Sequence, residues 1–213
     1  MRNASLVLSV IFHPLLMTSY GCAFLLFGLH GSVYDYLTPD SLKWRITFLV
    51  ASMTFLLPVL NIYLLYKLDR LPSFMLSNRK DRTYPYMLSA LFYFGLVYLL
   101  YDVNVWNILK AFIAGAGLAI LLSALINLRY KISAHMVGLG GMLGFMISVS
   151  YLLKTDITPL YILVVLVAGL TGSARMILEE HDPLQLLSGF LLGCGVQCTL
   201  FFILRQISFT SIL

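Results

Sequence analysis

Apolar residues run along this chain in long blocks, without the alternation of a strand or the single stripe of a surface helix. Seven blocks are legible, at roughly 4–29, 45–67, 84–102, 106–128, 134–153, 158–178 and 183–204. Each is close to the ~20 apolar residues that carry an α-helix through a bilayer. The pattern predicts an all-α, polytopic transmembrane helical bundle of six or seven spans, seven by direct count, forming a single domain over residues 1–213. Only Asp102 to Val105 separates the third and fourth blocks, so these two are expected to form a helical hairpin. Pro14 and Pro58 lie inside blocks and predict kinks, because proline lacks an N–H and crowds the preceding turn. Gly140 and Gly144, and Gly189 and Gly193, are small residues four apart, a spacing that predicts close helix packing. The first block follows a single Arg2, is long for a signal-peptide core and has no convincing cleavage site, so it is read as a span.

Composition narrows the class. Sixty per cent of the residues are hydrophobic, 11% are charged, and the mean hydropathy is +0.91. Soluble domains carry about 25% charged residues, so a soluble enzyme is excluded, and so is disorder. The net charge of +5 suits orientation signals or anionic lipid head groups; no soluble basic face exists to carry nucleic acid. Cys22, Cys194 and Cys198 lie in apolar blocks without metal-ligand spacing and are read as packing residues.

The polar residues gather at 67–82, 127–135 and 173–185, and in the loop 30–45. Span parity ties the first three together. Blocks three and four cross and return, then blocks five and six do the same, so these clusters share one membrane face. They contain Arg79, Lys80 and Arg82; Arg129, Lys131, Ser133, Ala134 and His135; and Arg175, Glu179, Glu180, His181, Asp182 and Gln185. Guanidinium groups match phosphate oxygens as a fork and lysine adds a point charge. A histidine serves as nucleophile or general acid near neutral pH. The chemistry suggested is phosphoryl transfer from a lipid. The plainer reading is that basic residues at span ends orient the protein and bind head groups without specificity; it covers Arg2, Lys67, Arg70 and Arg129.

The third cluster resembles the last signature of the type 2 phosphatidic acid phosphatase superfamily: Ser-Arg, five residues, His, three residues, Asp. Arg175 and His181 are six apart, Pro183 lies two after the histidine and Gly189 eight after. Ser133-Ala134-His135 resembles the family's Pro-Ser-Gly-His, and Arg82 with Pro85 loosely resembles its Lys, six residues, Arg-Pro. The matching positions lie between about 79 and 193, half the chain. The resemblance implies an integral-membrane lipid phosphatase acting on a lipid phosphomonoester or polyprenyl diphosphate, with no cofactor and no metal. His181 would attack phosphorus and form a phosphohistidine, and His135 would protonate the leaving oxygen. Arg82, Arg175 and Lys131 would hold the phosphate oxygens, with Arg79 and Lys80 as further cations. Ser133 and the Ala134 amide would add hydrogen bonds. A break near Asp182-Pro183 would fold His181 back toward the phosphate.

The chain departs from the family at several positions. Gln185 stands where the family has the Asp that orients the nucleophile, so help is expected from Glu180 or Asp182. Ala174 separates Ser173 from Arg175, Ile132 and Ala134 replace a proline and a glycine, and Met75 stands where a lysine is expected. A catalytically weakened or inactive lipid-phosphate binding or transport protein on the same fold is therefore the alternative. Mid-span polar groups of the kind that mark transport paths are few, among them His13, Asn61 and Lys110. The family resemblance suggests a bacterial inner membrane with the site on its extracytoplasmic face. Charge does not decide the orientation. Arg2, Lys67, Arg70, Arg79, Lys80, Arg82, Arg129, Lys131 and Arg175 fall on the cluster side, and Lys43, Arg45, Lys110, Lys154 and Arg205 on the other. The surplus disappears once the possible phosphate ligands are set aside.

Overall fold

The computed structural model describes residues 1–29, 38–73, 76, 78–103 and 105–207, with side chains up to 203. Met75, residues 30–37 of the polar loop 30–45 and the side chain of Arg205 lie outside the described residues. The helices are α1 (Arg2–Ile11), α2 (Pro14–Gly28), α3 (Asp40–Lys67), α4 (Arg79–Leu99), α5 (Asn107–Asn127), α6 (Ala134–Leu153), α7 (Thr158–Ile177) and α8 (Pro183–Ile207). No strand occurs among the described residues.

The prolines act as their chemistry requires, in two ways. At Pro14 the chain breaks, and α1 and α2 meet at 50°. His13 caps the new helix, its Nδ1 accepting the Leu15 N–H, and Pro14 takes the first helical position, where no N–H is needed. Pro58 does not break α3. Its ring would crowd the carbonyl four residues earlier, at Thr54, and the helix widens into a π turn over Ser52–Leu56 that absorbs the misfit.

Five helices are long and apolar enough to cross a membrane, six if α1 and α2 count as one bent span. The expected seven are not reached among the described residues. The missing block is α4, which has the length but opens on Arg79, Lys80, Asp81 and Arg82 and carries several tyrosines. It also begins earlier than the apolar block, because the charged stretch is itself helical. The expected hairpin of the third and fourth blocks is present as α4 packed on α5. Large apolar side chains such as Leu163, Leu166 and Leu170 on α7, and Leu191 and Phe202 on α8, face outward, as in a bundle solvated by lipid.

The core sits around α5 and α6. Tyr93, Leu96, Ile108, Leu109, Phe145 and Val149 are almost fully buried, and the Phe112 and Phe145 rings stack with centroids 3.9 Å apart. The closest helix pair is α6 with α8, and the glycines account for it. A Cβ on Gly140 would lie 2.0 Å from the Phe190 carbonyl oxygen, and one on Gly193 2.0 Å from that of Val137. Gly144 and Gly189 meet Cys194 and Ser133 backbone oxygens at 2.5 and 2.7 Å in the same sense. The small-residue spacing thus predicts a real seam, and that seam joins the helices whose first turns carry His135 and Gln185.

Gly140→Val should cost at least about 3 kcal/mol, because the obstructing atom is backbone and cannot swing aside. Thermal unfolding in detergent should show this as a large fall in Tm. Gly169→Ala, which meets nothing within 4 Å, should leave Tm unchanged.

Candidate functional site

The junction between α7 and α8 is built by two local signals. Beyond Ile177 the chain closes a Schellman motif: the Glu180 N–H bonds the Arg175 carbonyl at 3.1 Å, and the Glu179 N–H bonds that of Met176 at 2.9 Å. This motif needs a left-handed residue after the helix, and Glu179 supplies it at φ 56°. Two residues later Asp182 starts the next helix, its Oδ1 accepting the Gln185 N–H at 2.8 Å, with Pro183 in the first helical position. An acid followed three residues later by Gln is the pattern of a capping box. Glu180 and His181 are held between the two caps, so the expected break near Asp182-Pro183 is present, and it turns both side chains inward.

Three cations meet there. The Glu180 Oε2 lies 3.5 Å from an Arg82 terminal nitrogen, 3.7 Å from Lys131 Nζ and 3.7 Å from an Arg175 terminal nitrogen. These residues come from the start of α4, the α5–α6 loop and the end of α7, the three clusters that parity places on one face. Arg82 is held further by the Leu76 carbonyl, which accepts from its Nε, and by the hydroxyl of Tyr86, one turn along α4. Burial pushes the Lys131 ammonium below its ordinary value; Arg82 and Arg175 push the same way and Glu180 opposes them.

His181 stands beside this group. Its Nε2 is 3.5 Å from Arg82 Nη1, and its Nδ1 is 2.8 Å from Gln185 Oε1. Gln185 Nε2 in turn donates to Asp182 Oδ2 at 2.8 Å. A carboxylate only accepts, so Asp182 obliges Gln185 to turn its amide nitrogen outward and its carbonyl toward the imidazole. The Gln185 carbonyl then takes the Nδ1 proton, and the lone pair of His181 resides on Nε2, facing the cations. Burial lowers the His181 pKa from 6.5 to about 4; the Gln185 bond opposes the shift, and the cations Arg82, Lys131 and Arg175 reinforce it. At neutral pH the ring is therefore uncharged.

The remaining expected residues are placed unevenly. His135 is buried, but its Nε2 is 3.0 Å from the carbonyl oxygen of Ser9, an acceptor that ties up an Nε2 proton. The structure gives it an edge-on contact with His13 at 5.6 Å. Ser133 is fully buried, its hydroxyl has no partner, and its N–H bonds the Gln185 carbonyl at 3.3 Å. Ala134 lines the cavity described below. Arg79 and Lys80 are not brought into the cluster: Lys80 is exposed, and Arg79 is tied to α5 through its carbonyl, which accepts from Asn127 at 2.7 Å. Ser9 is a site residue that the sequence reading lacks. Its hydroxyl accepts from Arg175 at 3.4 Å while its carbonyl meets His135. The available signal is the pair Ser5 and Ser9, four apart on an otherwise apolar helix, both buried.

Behind the cations lies a cavity of about 490 Å³. Arg82, His135, Arg175, Glu180 and His181 form its polar end. Its walls are apolar side chains of α1, α2, α3, α5 and α6, among them Leu6, Met17, Val59 and Phe112, and the buried Gln197 of α8 also lines it. The volume is in the range of small-molecule sites. Comparison with family models, with curated proteins and with solved structures returns no match for this chain.

Four outcomes follow for His181, all readable by ¹⁵N NMR of labelled protein. The neutral Nδ1–H form should persist down to about pH 4. Gln185→Ala removes the bond that favours the imidazolium and should lower that midpoint further, whereas Gln185→Asp places a negative charge on Nδ1 and should raise it. Asp182→Ala should free the amide to turn and mix the two tautomers.

Proposed function

We propose that the chain is an integral-membrane lipid phosphatase resembling the type 2 phosphatidic acid phosphatases, acting on a lipid phosphomonoester or polyprenyl diphosphate through a phosphohistidine. One observation carries the reading. Three cations from three distant segments converge on one oxygen, beside an uncharged imidazole whose lone pair faces them, at the polar mouth of an apolar cavity. Phosphate oxygens would take the place of the Glu180 carboxylate, and the lipid tail would follow the cavity between helices.

The chemistry follows from this placement. The transition state of phosphoryl transfer spreads charge over the equatorial oxygens, and Arg82, Lys131 and Arg175 supply fixed positive charge there. His181 Nε2 forms the N–P bond as the P–O bond to the lipid breaks. The leaving oxygen takes a proton, for which His135 is the candidate donor once its contact with Ser9 opens and its ring has taken up a second proton from water. Water then attacks phosphorus, the N–P bond breaks, and phosphate departs. Gln185, backed by Asp182, performs the orienting part of the work of the missing Asp. The alternative, a lipid-phosphate binding or transport protein, is favoured by one feature: the carboxylate nearest the cations sits in the phosphate's place and not behind the histidine.

In this reading α4 is the seventh crossing, its polar first turn lying at the interface, and the cluster faces the extracytoplasmic side of a bacterial inner membrane. The C-terminus is then cytoplasmic, so a C-terminal reporter active only in the cytoplasm should be active.

Purified protein in detergent should release phosphate from a lipid phosphomonoester in the presence of EDTA. His181→Ala should reduce the rate by roughly 10³-fold or more, and Arg175→Ala by about 10²- to 10³-fold. Since His181 loses its proton only above about pH 4, its own titration should lower kcat/KM only below about pH 4, and any fall near pH 6 should follow the second ionisation of the substrate phosphate. Lipid binding without phosphate release would select the binding alternative.

A further inference from the structure

Bulk membrane phospholipids are phosphodiesters, each phosphate carrying one negative charge. They outnumber any phosphomonoester in the bilayer. A pocket of three cations open to an apolar cavity faces that excess, and simple attraction gives no means of refusing it. The geometry of Glu180 supplies one. Its Oε2 lies in the middle of the three cations, at 3.5, 3.7 and 3.7 Å. Charge-assisted hydrogen bonds run about 2.7–2.9 Å. One oxygen therefore sits at ion-pair range of all three nitrogens and at hydrogen-bond length from none of them. The Glu180 side chain also keeps 21% of its surface accessible, so it has somewhere to go.

We propose that Glu180 is a specificity-determining residue, a resident anion that keeps phosphodiester head groups out of the seat and yields to phosphomonoesters. This rests on the seat being a phosphate site, as proposed above. When a phosphodiester displaces Glu180, one negative charge replaces another, and the seat gains nothing for the displacement of a side chain already joined to it. A phosphomonoester carries about −1.5 to −2 at pH 7; it brings the extra charge and three oxygens to share among the three cations. Discrimination arises from a built-in competitor and not from a better fit to the preferred ligand. The local fold keeps the competitor in place: the Schellman motif fixes the Glu180 N–H on Arg175, and the Asp182 cap fixes the chain beyond His181.

The test is a binding comparison, independent of turnover. The full chain in detergent is titrated with phosphatidic acid, a monoester, and with phosphatidylglycerol, a diester of the same acyl tails, and bound lipid is counted by native mass spectrometry. Inorganic phosphate, read by thermal shift, separates the head-group contribution from that of the tail. Glu180→Gln should raise diester binding about tenfold or more and shrink the monoester-to-diester ratio correspondingly, and inorganic phosphate should stabilise the variant more than the parent. An unchanged ratio overturns the proposal. If Glu180→Gln does not fold, Glu180→Asp retains the charge at shorter reach and should raise diester binding to a smaller degree; an unchanged ratio in that variant overturns the proposal equally. Binding with the expected shift in ratio but no phosphate release supports Glu180's role while rejecting catalysis. Failure of the parent and the variants to bind any monoester rejects the seat, and this proposal with it.

Discussion

Like charges do not gather in a half-buried corner of a helical bundle unless an anion stands between them. Arg82, Lys131 and Arg175 do gather, and Glu180 is what they gather around. Desolvating several cations costs more than surface ion pairs return, so the arrangement depends on that carboxylate. Around it the rest of the face is organised: α4, the α5–α6 loop and α7 each deliver one cation, and the α7–α8 junction delivers both the carboxylate and the histidine. The function proposed for the site turns on the same interaction, with phosphate oxygens taking the place of that carboxylate.

The support for this corner is apolar and lies deeper. The seam between α6 and α8 brings two helix backbones together through glycines, which fixes the distance between Ser133 and Gln185 at their N-terminal ends. Gln185 in turn holds His181, and Asp182 holds Gln185. A positional error in the seam would therefore be passed to the imidazole through only two hydrogen bonds. The cavity is the complement of this tight packing. Where α6 and α8 close on each other, side chains of α1, α2 and α3 border the cavity together with those of α5 and α6.

Much of the fold was legible because apolar length is a direct demand of the bilayer and needs no partner to interpret it. Ala134–Leu153 and Thr158–Ile177 agree with the apolar blocks almost to the residue. Convergence of the three clusters was legible from parity alone. Side-chain direction was not. Arg82 points inward and Lys80 outward, although they are two apart, because two residues turn a helix by about 200°. Arg79 lies one turn outward at the helix end and contributes its carbonyl. His135 looked like a member of the phosphate group, but its Nε2 meets a carbonyl of α1, a neighbour set by the bend at Pro14. Glu180 was visible as a helper of His181; its place among the cations depends on the left-handed turn at Glu179, a conformation that a non-glycine residue does not advertise. Helix α4 fell short of a span by hydropathy for a related reason: its first turn carries Arg79, Lys80 and Asp81 beside the Arg82 that serves the site.

The order in which the chain is made gives the Glu180 contact a further meaning. Arg82, Lys131 and Arg175 all precede Glu180, and Arg82 joins His181 across 99 residues. During synthesis every cation of the seat reaches the membrane surface before its counter-charge exists. Until the last helical pair closes, the Leu76 carbonyl and the Ser9 hydroxyl are neutral partners for Arg82 and Arg175, and neither supplies the missing negative charge. Assembly of the site thus ends with one protein carboxylate seated among three waiting cations, the reverse of the exchange that the proposed phosphate ligand would make on entering.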